Sequence, residues 1–148
     1  MTTKELQQEI ISNMKRWQKI EDATVFATGE IIEKTDNPVI RLLMEIIQRD
    51  SQNHRQVQEL LIRGYEVEGF KLTVEQFEEL FKVVSRHVQV EKRMVAAAEE
   101  ALQTIQKGNL ILHEYFLKYL RADEEKHLTM LESLEQMKKH ITPYGPSL

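Results

Sequence analysis

Apolar residues recur three and four positions apart along four long stretches of this chain, and almost nothing interrupts them. No stretch alternates with a period of two, so no strand is expected. The first stretch carries Leu6, Ile10, Met14, Trp17, Ile20, Val25, Ile31 and Ile32. Thr2 and Glu5 supply a Thr-x-x-Glu capping box to open it. Asp36-Asn37-Pro38 stops it, with Asn37 placed as the N-cap of the next helix and Pro38 as its first residue. The second stretch carries Ile40, Leu43, Ile46, Ile47, His54, Val57, Leu60 and Leu61, and Gly64 is expected to end it. Residues 65–72 have no periodicity. Thr73 and Gln76 offer another capping box, opening a third stretch from Phe77 to Ile105. Gly108 is expected to close that helix and Asn109 to cap the fourth, which runs past Leu112, Phe116, Leu120, His127, Leu131 and Leu134 to Pro143. Gly29 falls inside the first stretch, where the surrounding periodicity overrides its cost. The spacing predicts helices over about 3–35, 38–63, 74–107 and 110–141, with a tail over 143–148. The expected class is all-α, with residues 1–142 forming one four-helix bundle.

Composition narrows the function. At 148 residues the chain is one domain's worth, large enough for a core without staples. The absence of cysteine excludes disulfides, cysteine-ligated zinc, iron–sulfur clusters and thiol catalysis. A net charge of −4 and the lack of a basic cluster oppose nucleic-acid binding. No run approaches about 18 apolar residues, the length of a membrane span, and residues 1–5 lack the apolar core of a secretory signal. A cytoplasmic protein with no membrane or nucleic-acid partner is the expectation.

The two halves repeat one another. Lys19-Ile20-Glu21-Asp22 resembles Gln89-Val90-Glu91-Lys92, and Asp50-Ser51-Gln52-Asn53-His54 resembles Asp123-Glu124-Glu125-Lys126-His127. Each half reads as a helical hairpin with a Glu on its first helix and a His on its second. Antiparallel helices of equal rise set Glu21 level with about position 52, and Glu91 level with about position 126. Glu21 thus lies level with Asp50 to His54, and Glu91 with Glu124 to His127. Taken singly, each has an ordinary reading: Glu21 and Glu91 as exposed helix residues, His54 as a structural histidine. The matched depths set them apart. Glu124 and His127, three apart, share a helix face and can hold one metal together. Bundle sites for metal pairs take a Glu from each of two helices and a Glu-x-x-His from each of the other two. Carboxylates and imidazoles hold divalent iron and leave coordination positions open.

On Glu21, His54, Glu91 and the run Asp123-Glu124-Glu125-Lys126-His127, the chain resembles the ferritin-like di-iron carboxylate proteins, close to the rubrerythrin and bacterioferritin branch. The resemblance spans nearly the whole chain. It implies two iron ions, one on Glu21 and His54, the other on Glu91 and His127, with Glu124 bridging. It also implies redox chemistry on ferrous iron with oxygen or peroxide (ferroxidase-like or peroxide-reducing), or iron handling, with an external electron donor. One departure stands out. The family's second bridging Glu falls at Ser51 here. Asp50 is the candidate substitute, reaching from the adjacent turn, with a solvated or outer role as its competing reading. Without it, the second metal is expected to bind weakly, exchange or be absent. Trp17 and His87 stand four residues before Glu21 and Glu91. Trp17 is expected beside the site. His87 reads as a non-ligating neighbour, with an accessory ligand as the alternative. His113 and His140 read as solvent-facing, and Tyr115, Phe116 and Tyr119 as core or interface.

A site shared by both halves constrains the connection. A simple hairpin between the second and third helices would leave His54 and Glu91 at heights differing by roughly 12 Å. A crossover along the bundle, spanning about 36 Å against a limit near 43 Å for the linker, would align them. So would a dimer that exchanges hairpins. A homodimer is the expected assembly. The competing function is a non-catalytic helical bundle that binds a partner, as in a stress response.

Overall fold

The computed structural model describes residues 2–66, 73–106 and 108–138. It contains four helices: α1 (Thr3–Lys34), α2 (Pro38–Glu66), α3 (Val74–Ile105) and α4 (Ile111–Lys138). No strand occurs among the described residues. The chain divides into two compact units, Met1–Phe70 and Lys71–Leu148. In the first, α1 packs on α2; in the second, α3 packs on α4. The expected crossover or hairpin connection over 67–72 and the tail over 143–148 lie outside the described residues.

The helix starts follow from local chemistry. At α1, Glu5 N–H donates to Thr2 Oγ1 at 3.3 Å and Thr2 N–H donates back to Glu5 Oε2 at 2.6 Å. At α3, Gln76 N–H donates to Thr73 Oγ1 at 3.2 Å and Thr73 N–H to Gln76 Oε1 at 3.0 Å. Both boxes satisfy backbone N–H groups that the first helical turn leaves without partners. Asn37 caps α2 as expected, its Oδ1 accepting from Val39 and Ile40 at 2.9 and 3.2 Å.

Two boundaries differ from the sequence reading. Gly64 does not end α2, which continues through Tyr65 to Glu66. A glycine stops a helix by turning left-handed just past its end, and Gly64 keeps a helical conformation. Asn109 does not cap α4. The chain turns earlier: α3 ends at Ile105, whose carbonyl accepts from Gly108 at 2.9 Å, and Gly108 O accepts from Leu110 at 2.9 Å. Leu110 then carries the first carbonyl of α4, accepting from Glu114 at 2.9 Å.

Each pair is an antiparallel hairpin whose register is tied across the helices. In the first, Gln18 donates to Glu59 at 3.0 Å, Arg55 to Asp22 at 2.7 Å, and Gln48 Nε2 to Val25 O at 3.1 Å. The last contact explains Gly29 inside α1. A Cβ there would stand 3.4 Å from Gln48 Nε2, so glycine leaves the amide room to reach the backbone. In the second, Ser85 donates to Glu135 at 3.3 Å, Lys92 pairs with Glu132 at 3.6 Å and Arg121 with Glu99 at 2.9 Å.

The buried residues differ in kind between the two hairpins. On α3, Phe77, Phe81, Val84, Val88, Glu91, Ala98 and Leu102 are buried. Their spacing runs four, three, four, three, seven and four, the 3.5-residue repeat of a coiled-coil seam rather than the 3.6 of a straight helix. Phe77 and Phe81 stack on this face with ring centroids 5.3 Å apart. Among the described residues, the buried set of the first hairpin is Glu21, Thr28, Ser51 and Gln58, with Ile62 the one buried hydrophobic. Apolar burial drives folding at roughly 25 cal/mol per Å², so the second hairpin has the stronger driving force along its seam.

Candidate metal centre

Glu91 is the one charged residue in the apolar seam of α3 and is 3% exposed. A carboxylate in such a place must be paired or hydrogen-bonded, or it shifts the whole hairpin's energy unfavourably. One oxygen is provided for: His87 Nε2, one helical turn earlier, stands 2.9 Å from Oε1. The other is not. Glu91 Oε2 is buried and has no hydrogen-bond partner. His127 Nδ1 on α4 stands 3.7 Å from it.

His127 lies three residues after Glu124 on the same face of α4. Its Nδ1 is 3.3 Å from Glu124 Oε2. Its opposite ring nitrogen, Nε2, stands 3.8 Å from Asp123 Oδ2, and Asp123 is held in turn by Lys126. The Nδ1 edge thus faces the two glutamates and the Nε2 edge faces a third carboxylate. Glu91, Glu124 and His127 offer donor atoms that all lie within 4.8 Å of one another. Ligand atoms bound to a common ion at about 2.0–2.2 Å stand up to about 4.3 Å apart, so small side-chain movements close the set around a cation. Two carboxylates offset a divalent charge, and the mixed oxygen and nitrogen set suits iron, manganese or zinc. The orphaned Oε2 is the acceptor such an ion would satisfy.

The first hairpin holds a sparser version. Glu21 is buried, and His54 Nδ1 stands 3.3 Å from its Oε1. Gln58 donates its amide to the same oxygen at 3.5 Å and leaves its own buried Oε1 without a partner. Ser51, where the resemblance places a glutamate, is buried on the same helix. Asp50 is half-buried. Among the described residues, the group of three or more His, Asp or Glu donors within mutual reach is that of the second hairpin. Asp50 is not drawn together with Glu21 and His54.

The expected pairings of depth therefore recur as contacts, Glu21 with His54 and Glu91 with His127. Trp17 is 49% exposed and His113 is exposed. Tyr115 packs edge-on against Phe116, with centroids 5.4 Å apart. His140 lies outside the described residues. Gln58 escaped the sequence reading. Its signal was present, since it stands seven residues from Ser51 and four from His54 on the same helix face. Comparison with protein-family models, curated proteins and solved structures finds no match. No helix among the described residues is long and apolar enough to cross a membrane.

Proposed function

We propose that this chain is a ferritin-like di-iron carboxylate protein, binding iron within a four-helix bundle and acting on ferrous iron with oxygen or peroxide. The observation that carries the reading is Glu91 Oε2, buried without a partner and turned toward Glu124 and His127. A buried, unsatisfied carboxylate oxygen costs about 1–3 kcal/mol, and a cation between the three donors removes that cost. Iron bound to such a set supplies one-electron chemistry, which suits ferroxidase-like or peroxide-reducing activity, or iron handling, with an external electron donor. The chain's own part is to hold iron: Glu91, Glu124 and His127 in the second hairpin, Glu21 and His54 in the first, with Asp50 as the candidate substitute for the glutamate missing at Ser51. We favour a homodimer. A cytoplasmic setting fits the absence of cysteine.

The test is anaerobic loading of the full chain with ferrous iron, in wild type and Glu124→Ala, with iron counted per chain. Two irons per chain, reduced in the variant and oxidised on adding oxygen or peroxide, are the expected result. One iron would mean that Ser51 has cost the protein its second ion. No iron on a helical, folded chain would sink the reading and leave the alternative of a partner-binding bundle. That alternative is favoured by large apolar side chains left open to solvent, such as Phe26 at 70% and Ile111 at 75% exposure.

A further inference from the structure

The two hairpins are not equivalent as ion holders, and the difference lies in how their buried glutamates are oriented. We infer that the α3–α4 hairpin is a self-contained site for one divalent cation on Glu91, Glu124 and His127, and that His87 is the positioning residue that makes it so. The inference rests on the reading that this cluster binds metal, and adds which ion enters first and what prepares its seat.

Three observations meet here. His87 Nε2 stands 2.9 Å from Glu91 Oε1, an ion-pair contact to that oxygen. The carboxylate is planar, so fixing Oε1 fixes Oε2. Oε2 is then left buried, unpartnered and aimed at His127 Nδ1, 3.7 Å away. The same His127 atom already stands 3.3 Å from Glu124 Oε2. His87 is outside the group of donors in mutual reach, so its role is to hold Glu91 rather than to bind the ion.

The first hairpin has no such arrangement. The contacts of Glu21, from His54 at 3.3 Å and Gln58 at 3.5 Å, both fall on Oε1. His54 is itself a candidate ligand, and no third His, Asp or Glu donor joins the pair. This hairpin therefore takes an ion second and less tightly. Groups that orient metal ligands through a hydrogen bond are worth about 10–100-fold in affinity, and that is the size expected for His87.

Cobalt(II) is the probe, because its visible absorption reports its ligands and it stays divalent in air. The full chain is titrated by calorimetry and by visible absorption, as wild type, Glu21→Ala/His54→Ala, His87→Ala and His87→Gln. Helicity and melting are followed by circular dichroism. The expected result is one tight ion per chain that survives Glu21→Ala/His54→Ala. His87→Ala weakens that ion by about 10–100-fold without moving its absorption bands at saturation. His87→Gln, whose amide can donate to the same oxygen, recovers most of the affinity. Loss of the tight ion in Glu21→Ala/His54→Ala would overturn the self-contained site while leaving the metal reading intact. Wild-type affinity in His87→Ala, or shifted bands at saturation, would overturn the positioning role. A wild-type chain that takes up no cobalt would overturn this inference and the metal reading together.

Discussion

Glu91 is a residue whose function and stability pull in opposite directions. Under the proposed reading its orphaned oxygen serves a cation, and without one it burdens the chain. Glu91→Leu keeps comparable bulk in the seam beside Val88 and removes the buried charge. In the metal-free protein we expect it to raise unfolding free energy by about 1–3 kcal/mol, read by urea denaturation in the presence of a chelator. Cobalt binding would be lost in the same variant. A Glu91→Leu chain less stable than wild type would show that Oε2 is satisfied after all. A second carboxylate tunes stability through pH. The Thr2 backbone N–H and then the Thr2 hydroxyl hold the Glu5 carboxyl below its ordinary value of 4.5. A lowered folded pKa gives stability that is present above the unfolded value and lost as pH falls through the folded one. Amide-exchange protection in the first turn of α1 should drop as pH falls below the ordinary value of 4.5 and through the lowered folded value, and Glu5→Gln should flatten that dependence.

The helices themselves follow rules of local chemistry, and so do the departures. Thr73→Ala removes the acceptor for Gln76 N–H at the start of α3 and should cost about 1 kcal/mol in a thermal melt. Gly64→Ala should do the opposite. A Cβ at Gly64 would meet nothing within 4 Å and the residue is helical, so alanine should add about 0.5–1 kcal/mol. Both capping boxes and the Asn37 cap were legible because they depend on residues three apart or fewer. The levels of Glu21 with His54 and Glu91 with His127 were legible because equal helical rise needs only the position of the turn. What escaped reading depended on a choice between near-equal local options. Asn109 and Leu110 compete to begin α4, and the hydrogen bonds around Gly108 decide for Leu110. Gln58 is an ordinary surface residue type, and only its partners across the hairpin give it a role.

Over the whole chain, the proposed ion binding would be coupled to folding. The second hairpin supplies its ligands from two helices, so a cation that binds Glu91 on α3 and both Glu124 and His127 on α4 clamps the folded pair. At a free cobalt concentration a hundred times the dissociation constant, the full chain should gain about 2.7 kcal/mol of stability, reversed by chelator. A melting temperature indifferent to cobalt would mean no ion sits between those helices. The residue pattern reached the clustering of Glu91, Glu124 and His127. It did not reach the path of the chain between the hairpins, because a taut crossover and an exchange between copies satisfy the same residue pattern.

The repeat along the seam of α3 also limits how such a protein can change in length. Phe77, Phe81, Val84, Val88, Glu91, Ala98 and Leu102 stay in line because their spacing closes every seven residues. One inserted residue between Val88 and Glu91 would turn everything beyond it by about 100° around the helix axis. Glu91 and the apolar positions past it could then no longer face the same neighbour. Descendants of this chain can therefore grow or shrink most readily by whole heptads, matched on α4 at the same height. Loops and tails stay free to vary, while the ruler on which the carboxylates are marked does not.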